Sequence, residues 1–241
     1  MSHTVTFVFV VTGVVAVYLC AEMLYALMAF PKATEVIKAS APFSRAGEGE
    51  RLLVVGDSTG YGTGATHPEE SVAGRLGTLY PEASIENESV NGMKTAELAT
   101  LLAAQPKGMT HSLIVLQIGG NDILFFTPLR DVERDIRVAY RAARERSERV
   151  VHLSAGNVGA APAFGPALSA LYHARTLRFR EMFMRAAREE GVTYVDLYLP
   201  PPLDPFRADP RRYHSADGLH PSSDGYGVWF EKLKDMLGNA R

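Results

Sequence analysis

Short apolar runs alternate with helical patterns along most of this chain, and that alternation limits the possible folds. The apolar runs predict strands at Leu52–Val55, Ser84–Val90, Leu113–Ile118, Val150–Leu153 and Val192–Tyr198. The helical patterns lie at Ser71–Tyr80, Thr95–Gln105, Asp131–Glu148, Leu168–Glu190 and Ser222–Leu237. Strands separated by helices are typical of a parallel sheet that is covered on both faces. We therefore expect an α/β fold with three layers and a central parallel sheet.

The first part of the chain has a different character. Residues 5–30 are almost continuously apolar and carry one charge, Glu22. About 20 apolar residues are enough to cross a bilayer as a helix. We interpret 5–30 as a transmembrane helix, either an anchor or an uncleaved signal; residues 31–50 as a linker; and residues 51–241 as the folded domain. A buried core helix is a weaker alternative, because the domain that follows looks complete without it.

Basic residues lie on one side of the apolar run. No Lys or Arg precedes it, whereas Lys32, Lys38, Arg45 and Arg51 follow it. The missing basic start and the length of the run favour an anchor over a cleaved signal peptide. By the positive-inside rule the charge bias favours a cytoplasmic domain. A secreted or periplasmic domain stays open as the alternative.

Composition excludes several classes of function. The 241 residues carry a formal net charge of -2, so the basic excess typical of nucleic-acid binding proteins is missing. A single cysteine, Cys20, rules out an internal disulfide bond and a zinc site built from cysteines. The seven histidines show no metal-binding spacing. We expect no metal and no cofactor.

Polar residues follow four of the predicted elements. Asp57-Ser58 follows the first strand, Asn91-Gly92 the second and Asn121-Asp122 the third, while His220 comes after the last strand and a long loop. In parallel α/β sheets, ligands bind outside the carboxyl ends of the strands. These four segments are therefore expected to meet at one edge of the sheet.

Ser58, His220 and Asp217 are candidates for nucleophilic catalysis. A serine hydroxyl needs a base within hydrogen-bond reach, and the base needs an orienting partner. His220 is a suitable base near neutral pH, and Asp217 lies three residues before it. Taken singly, Ser58 also fits an ordinary turn or helix-capping serine, and Asp217 and His220 fit a surface loop.

Two further residues are candidates for stabilising a developing oxyanion. The Asn121 side-chain amide and the Gly92 backbone N–H are donors of the required type. Both lie in Asn-Gly or Gly-Asn pairs, which also favour turns for their own reasons.

In this order, the four blocks resemble the SGNH (GDSL-type) serine esterase and lipase hydrolases. The resemblance rests on Gly56-Asp57-Ser58, Asn91-Gly92, Gly119-Gly120-Asn121-Asp122 and Asp217-x-x-His220-Pro221, and it covers about residues 51–237. It implies a flavodoxin-like α/β/α fold and metal-independent ester hydrolysis.

The resemblance also assigns roles to individual residues. Ser58 is implied as nucleophile, His220 as base and Asp217 as the residue that orients His220. The implied oxyanion hole consists of the Ser58 N–H, the Gly92 N–H and the Asn121 side chain. The block around Gly92 matches least well, since Met93-Lys94 follow it where the family often has another small residue and a glycine. Asp57 and Asp122 are interpreted as structural, bonding to backbone N–H groups in their own turns.

Three alternative functions fit parts of the sequence. Gly60, Gly62 and Ala65 fit a dinucleotide-binding fingerprint, although that fingerprint requires a helix directly after it. Transfer of the acyl group to another acceptor uses the same serine and histidine as hydrolysis. A non-catalytic binding domain on a hydrolase scaffold is the third possibility.

The substrate is expected to be a small-molecule, lipid or glycan acyl ester. Candidate walls for an acyl pocket are Phe125, Phe126, the small-residue segment 155–168 and the proline-rich segment 199–210. An anchor next to an esterase associates the substrate with a membrane or cell envelope.

Overall fold

A computed structural model describes residues 3–238 of the chain. The helices are α1 (His3–Leu27), α2 (Ala29–Ala39), α3 (Ser58–Tyr61), α4 (Val72–Leu79), α5 (Thr95–Ala104), α6 (Gly120–Leu124), α7 (Leu129–Arg144), α8 (Pro166–Glu189), α9 (Pro205–Ala208), α10 (Pro210–Tyr213) and α11 (Ser223–Gly238). The strands are β1 (Arg51–Gly56), β2 (Ser84–Asn87), β3 (Leu113–Gln117), β4 (Val150–Leu153) and β5 (Thr193–Val195). All five strands and five longer helices that the alternation predicts are present within this range.

The strands form one parallel sheet in the order β2-β1-β3-β4-β5. This is the order of flavodoxin-like doubly wound sheets, in which the ligand site lies where the winding reverses, between β1 and β3. The predicted fold class is therefore confirmed. The last strand is shorter than expected, since only Thr193–Val195 pairs with β4 before the chain leaves the sheet.

Alternating side chains of the central strands enter two separate cores. Leu53 and Val55 pack with residues of α5, α7 and α8 on one face. Leu52 and Val54 pack with residues of α4 and α11 on the other face. The period of two along a strand thus produces the three layers, and the near-continuous apolar runs are explained by burial on both faces.

The N-terminal segment is helical. Within the described part of the chain, one helical run, Phe7–Ala39, is long and apolar enough to cross a membrane, and 6% of its apolar window is buried. A signal sequence near the N-terminus has the same properties.

A linker is predicted at residues 31–50. The first part of this range belongs to α2, which ends at Ala39, and the rest lies along the domain. Arg45 forms a backbone bridge with Ile85 and donates side-chain hydrogen bonds to the carbonyls of Gly77 and Tyr80. The segment is thus held against the domain, and the division into anchor, linker and domain stays a prediction.

The local surroundings of Gly60, Gly62 and Ala65 differ from a dinucleotide-binding turn. The short helix α3 begins at Ser58, ahead of these glycines, and ends at Gly62 in a left-handed conformation. The glycines thus close a helical turn instead of opening a helix, which removes the structural context that the fingerprint requires.

Candidate active site

Ser58 lies at the end of the central strand β1, in a turn whose shape depends on Gly56. Gly56 has a φ of 156°, and a Cβ atom there would lie 1.8 Å from the carbonyl oxygen of Gln117 on β3. The N–H of Asp57 donates to that same oxygen at 2.8 Å. The chain can therefore turn sharply at the sheet edge, and Ser58 becomes the first residue of α3.

The structure brings Ser58, His220 and Asp217 into one chain of hydrogen bonds. His220 Nε2 lies 2.9 Å from Ser58 Oγ, and His220 Nδ1 lies 2.6 Å from Asp217 Oδ2. A carboxylate only accepts, so Nδ1 carries the proton and Nε2 is left to accept from the Ser58 hydroxyl. Each of the three residues is less than a tenth exposed.

A tight turn holds the carboxylate of Asp217 next to Nδ1 of His220. Asp217 Oδ1 accepts from the N–H groups of Leu219 and His220 at 2.9 and 3.0 Å and from the Ser215 hydroxyl at 2.7 Å. Gly218 allows the turn with a φ of 68°. The spacing Asp217-x-x-His220 thus lets both residues form one rigid unit.

The ionisation state of Asp217 suits an orienting role. Burial by itself raises the pKa of Asp217, but the hydrogen bond and charge of His220 and the Leu219 N–H outweigh burial. The pKa of Asp217 is therefore held well below its ordinary value, and the residue is ionised at neutral pH. A fixed negative charge next to Nδ1 stabilises the imidazolium that forms when His220 takes a proton.

Asn121 and Gly92 lie on the same pocket as Ser58 and His220. The Asn121 side chain donates from Nδ2 to the carbonyl of Met93 at 3.0 Å, which fixes the amide and leaves its second N–H to point elsewhere. Gly92 has a φ of 85°, and a Cβ atom there would meet nothing within 4 Å. Its neighbour Asn91 accepts a hydrogen bond of 2.6 Å from Thr63, which ties this loop to the segment after α3.

Asp57 and Asp122 have structural roles, as expected, but only one of them acts within its own turn. Asp57 accepts from the N–H and hydroxyl of Thr59, both at 2.8 Å. Asp122 bonds instead to the N–H and hydroxyl of Thr95 at 2.9 and 2.6 Å, and so joins the Asn121 turn to the start of α5. Burial raises the pKa of Asp57 to about 6, against the opposing hydrogen bonds from Thr59.

A cavity of about 450 Å³ opens beside Ser58. Phe125 and residues of both predicted segments, including Phe164, Leu168 and Phe206, line it. Phe126 does not; it stands beside the ring of Tyr172 instead. The lining is mostly apolar, as in typical small-molecule sites.

Sequence reasoning missed one wall of this cavity, which comes from α1 and α2. Met23, Leu27 and Ile37 line it opposite the domain. Glu22 indicates this wall in the sequence, because it is the one charge in an otherwise apolar run and a charge in such a position usually has a bonding partner.

Comparisons with known proteins point to one family. Residues 54–228 match the family described as GDSL-like lipase/acylhydrolase. A GDSL-like esterase of Mycobacterium tuberculosis is 28% identical over 205 residues, covering 77% of this chain and 62% of that protein. This chain therefore spans less than two thirds of that relative's length.

Solved structures show the same fold. A lipolytic protein of the G-D-S-L family from Veillonella parvula superposes with a TM-score of 0.59 at 18% identity, covering 77% of this chain and 96% of that one. A lipase from a goat rumen metagenome gives a TM-score of 0.59 at 20% identity, covering 78% and 97%. Since the family match spans more than half of the residues, and the fold agrees with it, this chain belongs to the GDSL-like lipase/acylhydrolase family of ester hydrolases.

Proposed function

We propose that this chain is a serine ester hydrolase that forms an acyl-enzyme on Ser58. The observation that carries the proposal is the hydrogen-bond chain from Asp217 through His220 to Ser58, with contacts of 2.6 and 2.9 Å. It lies at the base of an apolar cavity and at the point of the sheet where ligands bind in this fold. The nucleophile, the base and the orienting carboxylate are within hydrogen-bond reach of one another.

In the first half-reaction, Ser58 Oγ attacks the ester carbonyl carbon while His220 Nε2 takes the hydroxyl proton. The carbonyl π electrons move to oxygen and give a tetrahedral oxyanion. When the carbonyl reforms, the bond to the alkoxy group breaks, and His220 returns the proton to the leaving alcohol. Asp217 stays ionised throughout and stabilises the imidazolium.

Three donors are assigned to the oxyanion. As the first residue of α3, Ser58 has a backbone N–H without a partner inside the helix. The second donor is the N–H of Gly92, and the third is the free N–H of the Asn121 amide. Each donor of this kind contributes roughly 10²–10³ in rate in a water-excluded site.

In the second half-reaction, water replaces the alcohol. His220 Nε2 takes a proton from water as the hydroxyl attacks the acyl carbon, and the proton passes to Ser58 Oγ as the acyl–serine bond breaks. The products are a carboxylic acid and the free enzyme.

Hydrolysis of p-nitrophenyl acetate by the full chain in detergent tests this function. Ser58→Ala is expected to lower kcat by at least about 10⁴, and His220→Ala by a similar factor, because the two residues act as a unit. Ser112→Ala serves as a matched control, since Ser112 directly precedes β3 at the opposite edge of the sheet. Wild-type turnover by Ser58→Ala contradicts the mechanism.

The same assay separates hydrolysis from acyl transfer. With water as the sole acceptor, a hydrolase releases one carboxylate for every p-nitrophenolate. Accumulation of acyl-enzyme without release of acid, relieved by added alcohol or sugar, identifies a transferase instead.

A further inference from the structure

The helical segment before the domain crosses the mouth of the cavity and is attached at both ends. We call residues 22–40 the roof. At one end, Glu22 accepts from the N–H groups of Ala167 and Leu168 at 3.0 and 2.9 Å. At the other end, Ser40 Oγ accepts from the N–H of Gly64 at 3.3 Å. The roof is therefore joined to the domain on both sides of the catalytic pocket.

The attachment at Glu22 is specific in its chemistry. Ala167 and Leu168 belong to the first turn of α8, where backbone N–H groups have no partner inside the helix. The Glu22 carboxylate satisfies two of these donors, faces the positive end of the helix dipole and is only 5% exposed. Tyr25 adds a hydrogen bond of 3.3 Å from its hydroxyl to the carbonyl of Pro162.

The opposite attachment lies next to the catalytic histidine. A Cβ atom on Gly64 would come within 3.1 Å of the Cβ of His220, so Ser40 binds a loop that touches the base itself. Between the two attachments, the side chains of Met23, Leu27 and Ile37 face the cavity across from Ser58. These three apolar side chains form a wall that the domain does not supply.

The position of the roof relative to a bilayer follows from the bonds of Glu22. Its carboxylate is joined to the polar backbone of the domain, and such backbone does not lie in the hydrocarbon core of a bilayer. A membrane-spanning part of α1 therefore ends before Glu22, short of the predicted end at residue 30, which places the cavity at the membrane surface.

Residues around the cavity suit such a surface. Phe125 and Phe126 are both about half exposed, and Lys94 and Arg175 lie over their rings at 5.3 and 4.7 Å. Exposed Phe side chains next to Lys and Arg are typical of surfaces that lie in the interface between membrane and water.

We propose that the roof is one wall of the acyl-binding site, and that the site takes an aliphatic acyl chain from an ester that resides in the membrane. The proposal rests on the proposed hydrolase function for its chemistry, but its geometry is independent of that function. The family match begins at residue 54, so the roof lies outside the part of the chain that defines the family. We therefore expect residues of the N-terminal segment to act together with the walls of the domain in setting the chain-length preference.

The first test compares octanoyl and acetyl p-nitrophenyl esters with the full chain in detergent. Leu27→Ala removes apolar contact from the wall and is expected to lower the octanoyl-to-acetyl ratio of kcat/KM by about tenfold. Leu24→Ala is the matched control, because Leu24 lies one turn away on the same helix, is 64% exposed and is not part of the cavity wall. Equal ratios for the two variants overturn the proposal.

A second pair of variants tests the attachment itself. Glu22→Ala leaves two N–H groups of α8 without their acceptor and is expected to lower the octanoyl-to-acetyl ratio at least as much as Leu27→Ala. Glu35→Ala, on the exposed side of α2, is the control and is expected to keep the wild-type ratio. A wild-type ratio in Glu22→Ala shows that the roof does not shape the site.

A binding measurement keeps the two proposals separate. Trp229 is the sole tryptophan of the chain and lines the cavity, so its fluorescence reports binding of sodium octanoate without any turnover. Weaker octanoate binding by Leu27→Ala than by Leu24→Ala supports the roof even if no ester is hydrolysed, in which case only the proposed function fails. Unchanged binding together with normal hydrolysis overturns the roof alone.

The source of the acyl chain is tested in phosphatidylcholine vesicles that contain the protein and 4-methylumbelliferyl oleate. If the ester enters from the bilayer, the rate follows the mole fraction of ester in the vesicles at a constant bulk concentration. A rate that follows only the bulk concentration assigns the substrate to the aqueous phase and overturns the membrane part of the proposal.

Discussion

Replacing Asp217 by asparagine is expected to damage catalysis more than replacing it by alanine. In the turn, Oδ1 accepts three hydrogen bonds, two of them from the backbone N–H groups of Leu219 and His220. An asparagine must keep its oxygen in that position, because an NH₂ group there would face fixed donors. Its NH₂ group then occupies the place of Oδ2 and donates to His220 Nδ1.

That arrangement forces the wrong tautomer on the base. Nδ1 has to accept, so the proton moves to Nε2 and points at Ser58 Oγ, where a lone pair is needed. In serine protease triads, the equivalent change lowers kcat by about 10⁴, which corresponds to about 5.5 kcal/mol in activation free energy. With Asp217→Ala the ring is free to adopt either tautomer, and we expect a smaller loss of about 10².

The thermal stability of the two variants is expected to follow the opposite order to their activity. Asp217→Asn preserves the three bonds to Oδ1 and is expected to unfold near the wild-type temperature. Asp217→Ala leaves the N–H groups of Leu219 and His220 without an acceptor, at about 1–3 kcal/mol for the buried group of His220, and is expected to unfold at a lower temperature. Initial rates on p-nitrophenyl acetate and thermal unfolding of the full chain in detergent provide both readouts. Higher activity in Asp217→Asn than in Asp217→Ala refutes the tautomer reasoning.

Three further predictions concern the same edge of the sheet. The pKa of Asp57 is about 6 in the folded chain, above its ordinary value of 3.8, so ionisation of Asp57 opposes folding. The resulting loss of stability is absent below pH 3.8 and grows as the pH rises to 6. It reaches at most about 3 kcal/mol. The Tm of Asp57→Asn is therefore expected to rise relative to the wild-type Tm between pH 4.5 and 7. A difference in Tm that stays constant over this pH range argues against ionisation of Asp57 as its cause. Gly56→Ala should destabilise the chain by about 3 kcal/mol or more in thermal unfolding, because its Cβ overlaps the Gln117 carbonyl; Gly108→Ala, in open space at a φ of 124°, should cost clearly less, and equal costs contradict the overlap. Asn121→Ala should lower kcat on p-nitrophenyl acetate by roughly 10²–10³ with little change in KM, and a loss below about fivefold removes Asn121 from the oxyanion hole.

Much of the catalytic site could be predicted because its signals are local. Gly56-Asp57-Ser58 at the end of an apolar run predicts a turn that carries a candidate nucleophile, and Asp217-x-x-His220 predicts a candidate base with its orienting partner. The carboxyl ends of parallel strands meet at one edge, which is why chain-distant blocks converge there. The same local patterns, period two in strands and 3.6 in helices, predict the layers of the fold.

Other contacts depend on where distant segments come to lie. The sequence predicts that Asp122 bonds within its own turn, but Asp122 bonds to Thr95, because α5 starts beside the Asn121 turn only in the folded sheet. Likewise, Phe126 stands next to Tyr172 on α8 rather than in the cavity wall.

The amino-acid sequence alone determined the family, the order of strands and helices and the residues proposed for catalysis, since each is written in patterns a few residues long. Only the tertiary structure decided how the N-terminal helices meet the domain. Glu22 bonds to a residue 145 positions further along the chain, and no local pattern encodes such a pairing. The physical reason is that the exposed start of α8 needs acceptors, and packing alone determines which carboxylate can reach it.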